Sequence, residues 1–133
     1  MDQTPTKTAP QDPERPTRSA LGALGESLAA EYLEECGYRI LARNWRDGRR
    51  GELDLIVRDG DCAVAVEVKT RSGIGYGNPL ESITARKAAR LRRLLLAWAR
   101  QSQPGTARLR VDAIGITLCA GERPRIDHLA GIG

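Results

Sequence analysis

The stretch that decides the fold is Gly51-Glu52-Leu53-Asp54-Leu55-Ile56-Val57-Arg58-Asp59-Gly60-Asp61-Cys62-Ala63-Val64-Ala65-Val66-Glu67-Val68-Lys69-Thr70. Two apolar runs flank a short polar break that contains Asp-Gly, the strongest local signal for a β-hairpin. With Asp59-Gly60 as the two-residue turn, Arg58 faces Asp61. Leu53, Leu55 and Val57 then lie opposite Val66, Val64 and Cys62 on one face, which Val68 extends. That face is wholly apolar and is predicted to be buried, because strand register sends every second side chain to the same side.

The other face of the ribbon carries Glu52, Asp54 and Ile56 against Glu67, Ala65 and Ala63, with Lys69 beyond. In this register Glu52 faces Glu67, and Asp54 faces Ala65 and lies diagonal to Glu67. Diagonal neighbours stand about 7–8 Å apart, within reach of converging side chains. Carboxylates gathered in this way repel unless positive charge lies among them. A hard divalent cation, Mg²⁺ or Mn²⁺, suits oxygen ligands that come without sulfur or imidazole. Lys69 shares the face and could orient or deprotonate a water and offset charge at phosphorus. A solvated face with a stray ion pair is the plainer alternative.

Outward from the hairpin, Ser19 is a candidate cap for a helix running to Cys36, with Gly37 as its stop. Leu21, Leu24, Leu28 and Tyr32 recur on it at helical spacing, and Gly25 leaves a gap on the same arc for close approach of another element. A strand over Tyr38–Trp45 and a charged turn over Arg46–Arg50 lead into the hairpin. A glycine-rich loop, Arg71–Pro79, follows it. Ile83–Arg100 reads as a second helix, and Arg108–Leu118 as a last strand. Helix, three strands, helix, strand is an α/β order with a mixed sheet. Residues 1–18, rich in proline and threonine, read as a disordered tail, and 19–133 as one domain.

Composition excludes several classes. In 133 residues, 41% hydrophobic and 29% charged residues describe an ordinary globular chain. No run approaches the roughly 20 apolar residues of a membrane helix, and no signal peptide is visible, so a cytoplasmic protein is expected. Cys36, Cys62 and Cys119 are odd in number and far apart, which argues against a disulfide framework or a Cys-x-x-Cys zinc site. His128 is the single histidine, so chemistry needing two imidazoles is ruled out. The net charge of +4 suggests a polyanionic partner. Of 21 basic residues only Lys7, Lys69 and Lys87 are lysines, which points to a need for a compact ammonium at the interior positions.

Asp54, a hairpin and then Glu67-Val68-Lys69 resemble the PD-(D/E)XK nuclease superfamily. The wider pattern is similar to one branch of it, the YraN family. The resembling stretches include Gly25-Glu26, Ala29-Ala30, Arg43-Asn44-Trp45-Arg46, Gly51 to Ile56, Val66 to Arg71, Lys87 and Arg110-Val111-Asp112. Leu53 stands where the superfamily name has proline. The resemblance implies a restriction-endonuclease-like α/β core, in which a mixed β-sheet with an antiparallel hairpin is flanked by helices. It also implies Asp54 and Glu67 as metal ligands, Glu26 as an added carboxylate from the first helix, and Lys69 as the water-activating or charge-stabilising residue.

Around that site, Lys87 shares the inward stripe of the second helix with Leu91, Leu94 and Trp98, and could point toward the carboxylates or snorkel to solvent. Arg86, Arg90, Arg93 and Arg100 form an outer stripe, a candidate phosphate track, with Arg71 nearby and Tyr76 a candidate stacking group. Glu52 either assists at the site or is turned outward by a bend at Gly51. Asp112 reads as a structural partner for an arginine, and His128 as part of a frayed end. Two functions follow. One is a Mg²⁺- or Mn²⁺-dependent endonuclease acting on nucleic acid, DNA favoured over RNA, with a homodimer favoured if both strands of a duplex are cut. The other is a catalytically silent nuclease-fold module that binds nucleic acid or a protein partner.

Overall fold

The computed structural model describes residues 17–73 and 77–132. Helix α1 (Arg18–Glu35) is followed by strands β1 (Arg39–Arg46), β2 (Glu52–Asp59) and β3 (Cys62–Ser72). After a 3₁₀ turn at Pro79–Ser82 come helix α2 (Ala85–Ser102) and strands β4 (Arg108–Leu118) and β5 (Arg125–Leu129). The five strands form one sheet in the order β1-β2-β3-β4-β5. Only β3 and β4 run parallel, because only they are joined by a crossover helix. The anticipated mixed α/β core is present, consistent with a restriction-endonuclease-like arrangement. Neither helix is long and apolar enough to cross a membrane. Of the tail predicted over 1–18, residues 1–16 lie outside the described residues, as does Tyr76.

Both faces of the sheet are covered. On one side α1 packs over Leu55, Val57, Val64, Val66, Val68, Ile114 and Ile116. On the other, α2 brings Leu91, Leu94, Leu95 and Trp98 onto Ile56, Ala63, Ala65 and Val111. Burial on both sides explains the continuous apolar runs of the central strands.

Local chemistry sets the helix ends. Thr17, rather than Ser19, caps α1: its hydroxyl accepts the Ala20 N–H at 3.0 Å, so the helix begins at Arg18. At the other end Gly37, at φ 93°, lets its own N–H reach the Glu34 carbonyl (3.0 Å) and the Tyr38 N–H reach the Leu33 carbonyl (2.9 Å). These two bonds close the last turn as glycine in the left-handed region commonly does. Thr84 caps α2, where the Lys87 N–H donates to its hydroxyl at 3.1 Å, so that helix starts at Ala85 rather than Ile83.

Three further expectations are corrected. The hairpin turn is Gly60-Asp61, with Asp59 opposite Cys62 and Leu55 opposite Val66, a register two residues from the one predicted. Gly60 takes φ 59°, as a two-residue loop with glycine first requires, and Asp61 is held instead at the start of β4, accepting from Ala107 and Arg108. A slip of two preserves the faces. Leu53 nevertheless leaves the face of Leu55 and joins the α2 cluster, because the β2–β3 ladder ends at Leu55 and the alternation breaks at Asp54. The buried side of α1 is Gly25, Ala29, Ala30 and Leu33, while Leu24 is 46% exposed.

The C-terminus is not frayed. His128 lies on β5, with Nε2 2.8 Å from Asp112 Oδ2 and Nδ1 3.2 Å from the Tyr32 hydroxyl. Asp112, fully buried, also accepts two bonds from Arg110 and one from the Gly131 N–H. Burial alone would raise this carboxyl, but the donors around it hold it below the usual aspartate range. It is the structural partner of an arginine, as expected.

Gly25 is where α1 meets β3. A Cβ there would lie 1.8 Å from Thr70 Oγ1. Gly25→Ala should therefore lower stability by about 1–3 kcal/mol in urea denaturation, the usual cost of overpacking a close contact. Thr70→Ala in the same chain should recover part of that loss. Equal midpoints for wild type and Gly25→Ala would contradict the close approach.

Candidate active site

The site forms where three pieces of local chemistry meet. Glu67 lies on β3 in a run, Cys62–Val68, in which every residue is buried; its own exposure is 7%. It faces the α2 side together with Ala63 and Ala65. A carboxylate there demands a cationic partner. Lys87, in the first turn of α2, supplies one with Nζ 2.7 Å from Glu67 Oε2. Lys69, two residues along the strand, places Nζ 3.8 Å from the same oxygen.

Asp54 enters through a break in the ladder. One step beyond the Leu55–Val66 pair sets it opposite Glu67, rather than diagonal to it as predicted. Its Oδ2 accepts the Val68 N–H at 2.9 Å, taking the part a main-chain carbonyl would play in a regular sheet. Burial pushes the Asp54 carboxyl up to about 7, and the charges of Glu67 and then Glu26 add to that rise, while the Val68 bond opposes it. Lys69 is held below the ordinary lysine range by burial and by the neighbouring Lys87. Lys87 lies above it: burial lowers it, but the bond to Glu67 and the charges of Glu67 and Asp54 together outweigh that.

The other predicted residues fall around this centre. Glu26 is half-buried on α1, and its Oε1 accepts from Asn44 Nδ2 at 3.1 Å. Sequence reasoning passed over Asn44, which sits at φ 49° in β1, a left-handed position that asparagine tolerates better than most residues. Glu52 does not face Glu67; the register shift gives that place to Asp54. It pairs instead with Arg46 at 3.6 Å and lines the rim of the site. Glu52, Asp54, Glu67, Lys87 and Arg90 enclose a recess of about 170 Å³, floored by Leu91 and Leu94. Arg86, Arg90, Arg93 and Arg100 are exposed along α2, as a phosphate track requires. Arg71 is turned to the glycine-rich loop, where it donates to the Gly77 carbonyl.

The chain matches the model of uncharacterised protein family UPF0102 over residues 25–116. A UPF0102 protein of Leifsonia xyli is 52% identical over 115 residues, covering 86% of this chain and 97% of that one. Another, from Rhodococcus opacus, is 50% identical over 110 residues, covering 83% and 92%. This chain belongs to the UPF0102 family. The matched span includes Glu26, Asp54, Glu67, Lys69 and Lys87, and leaves out β5 with His128. Among solved structures, SfsA of Pyrococcus furiosus in complex with Ca²⁺ is similar at 16% identity and TM-score 0.36, over 84% of this chain and 62% of that one. A likeness that weak identifies neither function nor ligand.

Can the recess of this UPF0102 chain hold a divalent ion? Its donors are carboxylate oxygens, and Asp54 is raised by burial and by the nearby charges of Glu67 and Glu26. Among the described residues no group of three or more His, Cys, Asp or Glu is arranged to hold a metal ion. Mg²⁺ does not need one, since it keeps several waters and commonly takes one or two carboxylates. Asp54 and Glu67 fit that requirement.

The Asp54 carboxyl has a measurable consequence. Its folded value lies above the unfolded 3.8, so the protonated form favours the fold. Its contribution is fully present below about pH 4 and is lost as pH rises through about 7. Asp54→Asn keeps an acceptor for Val68 and cannot ionise. In EDTA it should match or trail wild type in urea denaturation near pH 4, and gain roughly 1–3 kcal/mol on it by pH 8. A constant difference across that range would show that Asp54 does not titrate there.

Proposed function

We propose that this protein is a metal-dependent phosphodiester hydrolase of the PD-(D/E)XK nuclease kind, acting on nucleic acid and on DNA in preference to RNA. The observation that carries the reading is the convergence of Asp54, Glu67, Lys69 and Lys87 from a hairpin and one helix start. Asp54 and Glu67 would hold Mg²⁺ or Mn²⁺, with Glu26 adding negative charge from α1. When bound, the ion would supply positive charge against the oxygens of the phosphorus transition state and acidify water.

The chain's own groups do the rest. Lys69, below the ordinary lysine range, would take a proton from an attacking water or face developing charge. Lys87, 2.7 Å from Glu67, would supply the cation that a buried carboxylate beside Asp54 needs. The exposed α2 arginines would hold the polyanion through its phosphates, which makes binding fall steeply with salt. One chain offers one such site, so cutting both strands of a duplex would call for two copies.

A second reading has one observation in its favour. Lys87 at 2.7 Å already satisfies the Glu67 oxygen that an ion would need. On that reading the chain holds nucleic acid without turnover.

Incubation with single-stranded, duplex and branched DNA, and with RNA, in Mg²⁺ or Mn²⁺ separates the two. The hydrolase reading expects cleavage that Glu67→Ala abolishes and EDTA stops. It expects Lys69→Ala to cost about 10²–10⁴ in rate, the usual contribution of a general acid or base. Salt-sensitive binding with no cleavage under any condition, unchanged by Glu67→Ala, would leave the module reading instead.

A further inference from the structure

Beside the carboxylate recess lies a second and larger pocket. We propose that this pocket, between the β1–β2 turn and the outer side of α2, is a subsite for an unpaired nucleotide of the strand that enters the carboxylate site. The inference deepens the hydrolase reading and rests on it for the direction of the strand. The pocket has a volume of about 400 Å³ and is lined by Asp47, Arg50, Arg90, Arg93, Leu94 and Ala97. Such a volume falls within the roughly 300–1,000 Å³ typical of small-molecule sites. It shares Arg90 and Leu94 with the recess that holds Asp54 and Glu67, so the two are contiguous.

Charge and shape both select the occupant. Three guanidinium groups face one carboxylate, and that carboxylate, Asp47, lies 3.7 Å from Arg50. The surplus of positive charge calls for a phosphate, which planar guanidinium binds through paired N–H donors. Arg90 is fixed in place, donating from Nη2 to the Arg50 carbonyl at 3.0 Å. Gly51 permits this: at φ 142°, it has no Cβ, and one there would stand 2.9 Å from Arg90 Nη2 and 3.1 Å from Leu94 Cδ1. Arg93 is exposed and lines the pocket, and among the described residues it makes no ion pair or hydrogen bond.

A phosphate alone would not use the floor. Leu94 is 5% exposed and Ala97 is half-buried, together offering an apolar surface between the arginines. A nucleobase matches that surface, with one face on aliphatic carbon and the guanidinium planes beside it. In a paired duplex the bases are stacked inside and cannot enter a recess. Only an unpaired or extruded nucleotide can, and it is easiest to supply where the strand is already single. Asp47 adds an acceptor for a base N–H.

Fluorescence anisotropy in EDTA, without cleavage, tests the subsite. The probes are a labelled single strand, the blunt duplex of the same sequence, and that duplex with an unpaired flap, with nucleoside monophosphate or inorganic phosphate as competitor. We expect the single strand and the flap to bind at least about five-fold tighter than the blunt duplex, consistent with the value of one stacked base. The monophosphate should compete at concentrations where inorganic phosphate does not. Ala97→Trp fills the floor without touching charge, and should weaken single-strand binding about ten-fold while leaving the blunt duplex within about two-fold. Arg93→Glu, at an exposed position that spares the fold, should weaken both the single strand and monophosphate competition.

Equal affinity for all probes, no binding of nucleic acid, competition by phosphate as strong as by the monophosphate, or a folded Ala97→Trp indistinguishable from wild type would each overturn the subsite. Should Ala97→Trp not fold, unchanged monophosphate competition by Arg93→Glu would overturn it just as well. Cleavage in Mg²⁺ without the strand preference removes the subsite and leaves the hydrolase. The strand preference without cleavage in any metal removes the hydrolase and leaves the subsite.

Discussion

A carboxylate on a strand covered on both faces is the constraint from which the rest of the site follows. Every residue from Cys62 to Val68 is buried, and Glu67 is the one charge among them. Removing a carboxylate from water costs several kcal/mol unless an opposite charge and hydrogen bonds accompany it. That partner must come from the covering layer or from the strand itself, and here it comes from both. Thr84 ends the approach to α2 and turns the helix in at Ala85, which sets Lys87 over β3. Lys69 follows two residues on, where the strand is emerging from its cover. The start of α2 is therefore tied to the chemistry of β3 as well as to packing.

Two acids of the sheet, Asp112 and Asp54, are treated differently by their surroundings. Asp112, on the α1 side, is surrounded by donors: two from Arg110, the Gly131 N–H and His128. Its carboxyl is held low, and β5 is pinned to the domain as a result. Asp54 has one donor, the Val68 N–H; burial first, and then the charges of Glu67 and Glu26, raise its carboxyl to about 7. One carboxylate is fully satisfied and locks structure. The other is buried with a single donor, and a carboxyl shifted in that way marks a candidate functional position.

Much of this was legible in the sequence because it rests on parity. A turn at Asp59-Gly60 and one at Gly60-Asp61 differ by two residues in register, so Asp54, Glu67 and Lys69 share a side either way. What the pattern could not show is which acid stands opposite Glu67, since that depends on the turn chosen. Asp61 decides it, through bonds to Ala107 and Arg108 that are remote in sequence. The break at Asp54 was equally hidden: Leu53 continues the alternation on paper, but a side chain has replaced a ladder bond. Helix α1 misled for a different reason. Leucines at helical spacing looked like its inner face, and Leu28 and Tyr32 do pack on the core, but with Thr70 close against Gly25 the buried side is Gly25, Ala29, Ala30 and Leu33, and Leu24 is left exposed. The short, half-polar Arg125–Leu129 carries no periodic signal, and only its partners on β4 and α1 make it a strand.

The distribution of cations adds a last constraint on the proposed chemistry. Eighteen of the 21 basic residues are arginine, and two of the three lysines meet at Glu67. Arginine keeps its proton at any pH the fold survives, and its planar fork suits phosphate, so a stripe of it on α2 is well made for holding a polyanion in place. It cannot give or take a proton. Lysine can, where its environment lowers it far enough, and burial and the neighbouring Lys87 lower Lys69 in that direction. A chain that needed only bulk positive charge near Glu67 could have used arginine there as it does elsewhere. Under the proposed hydrolase reading, lysine stands where a proton would have to move and arginine where an anion would only have to be held.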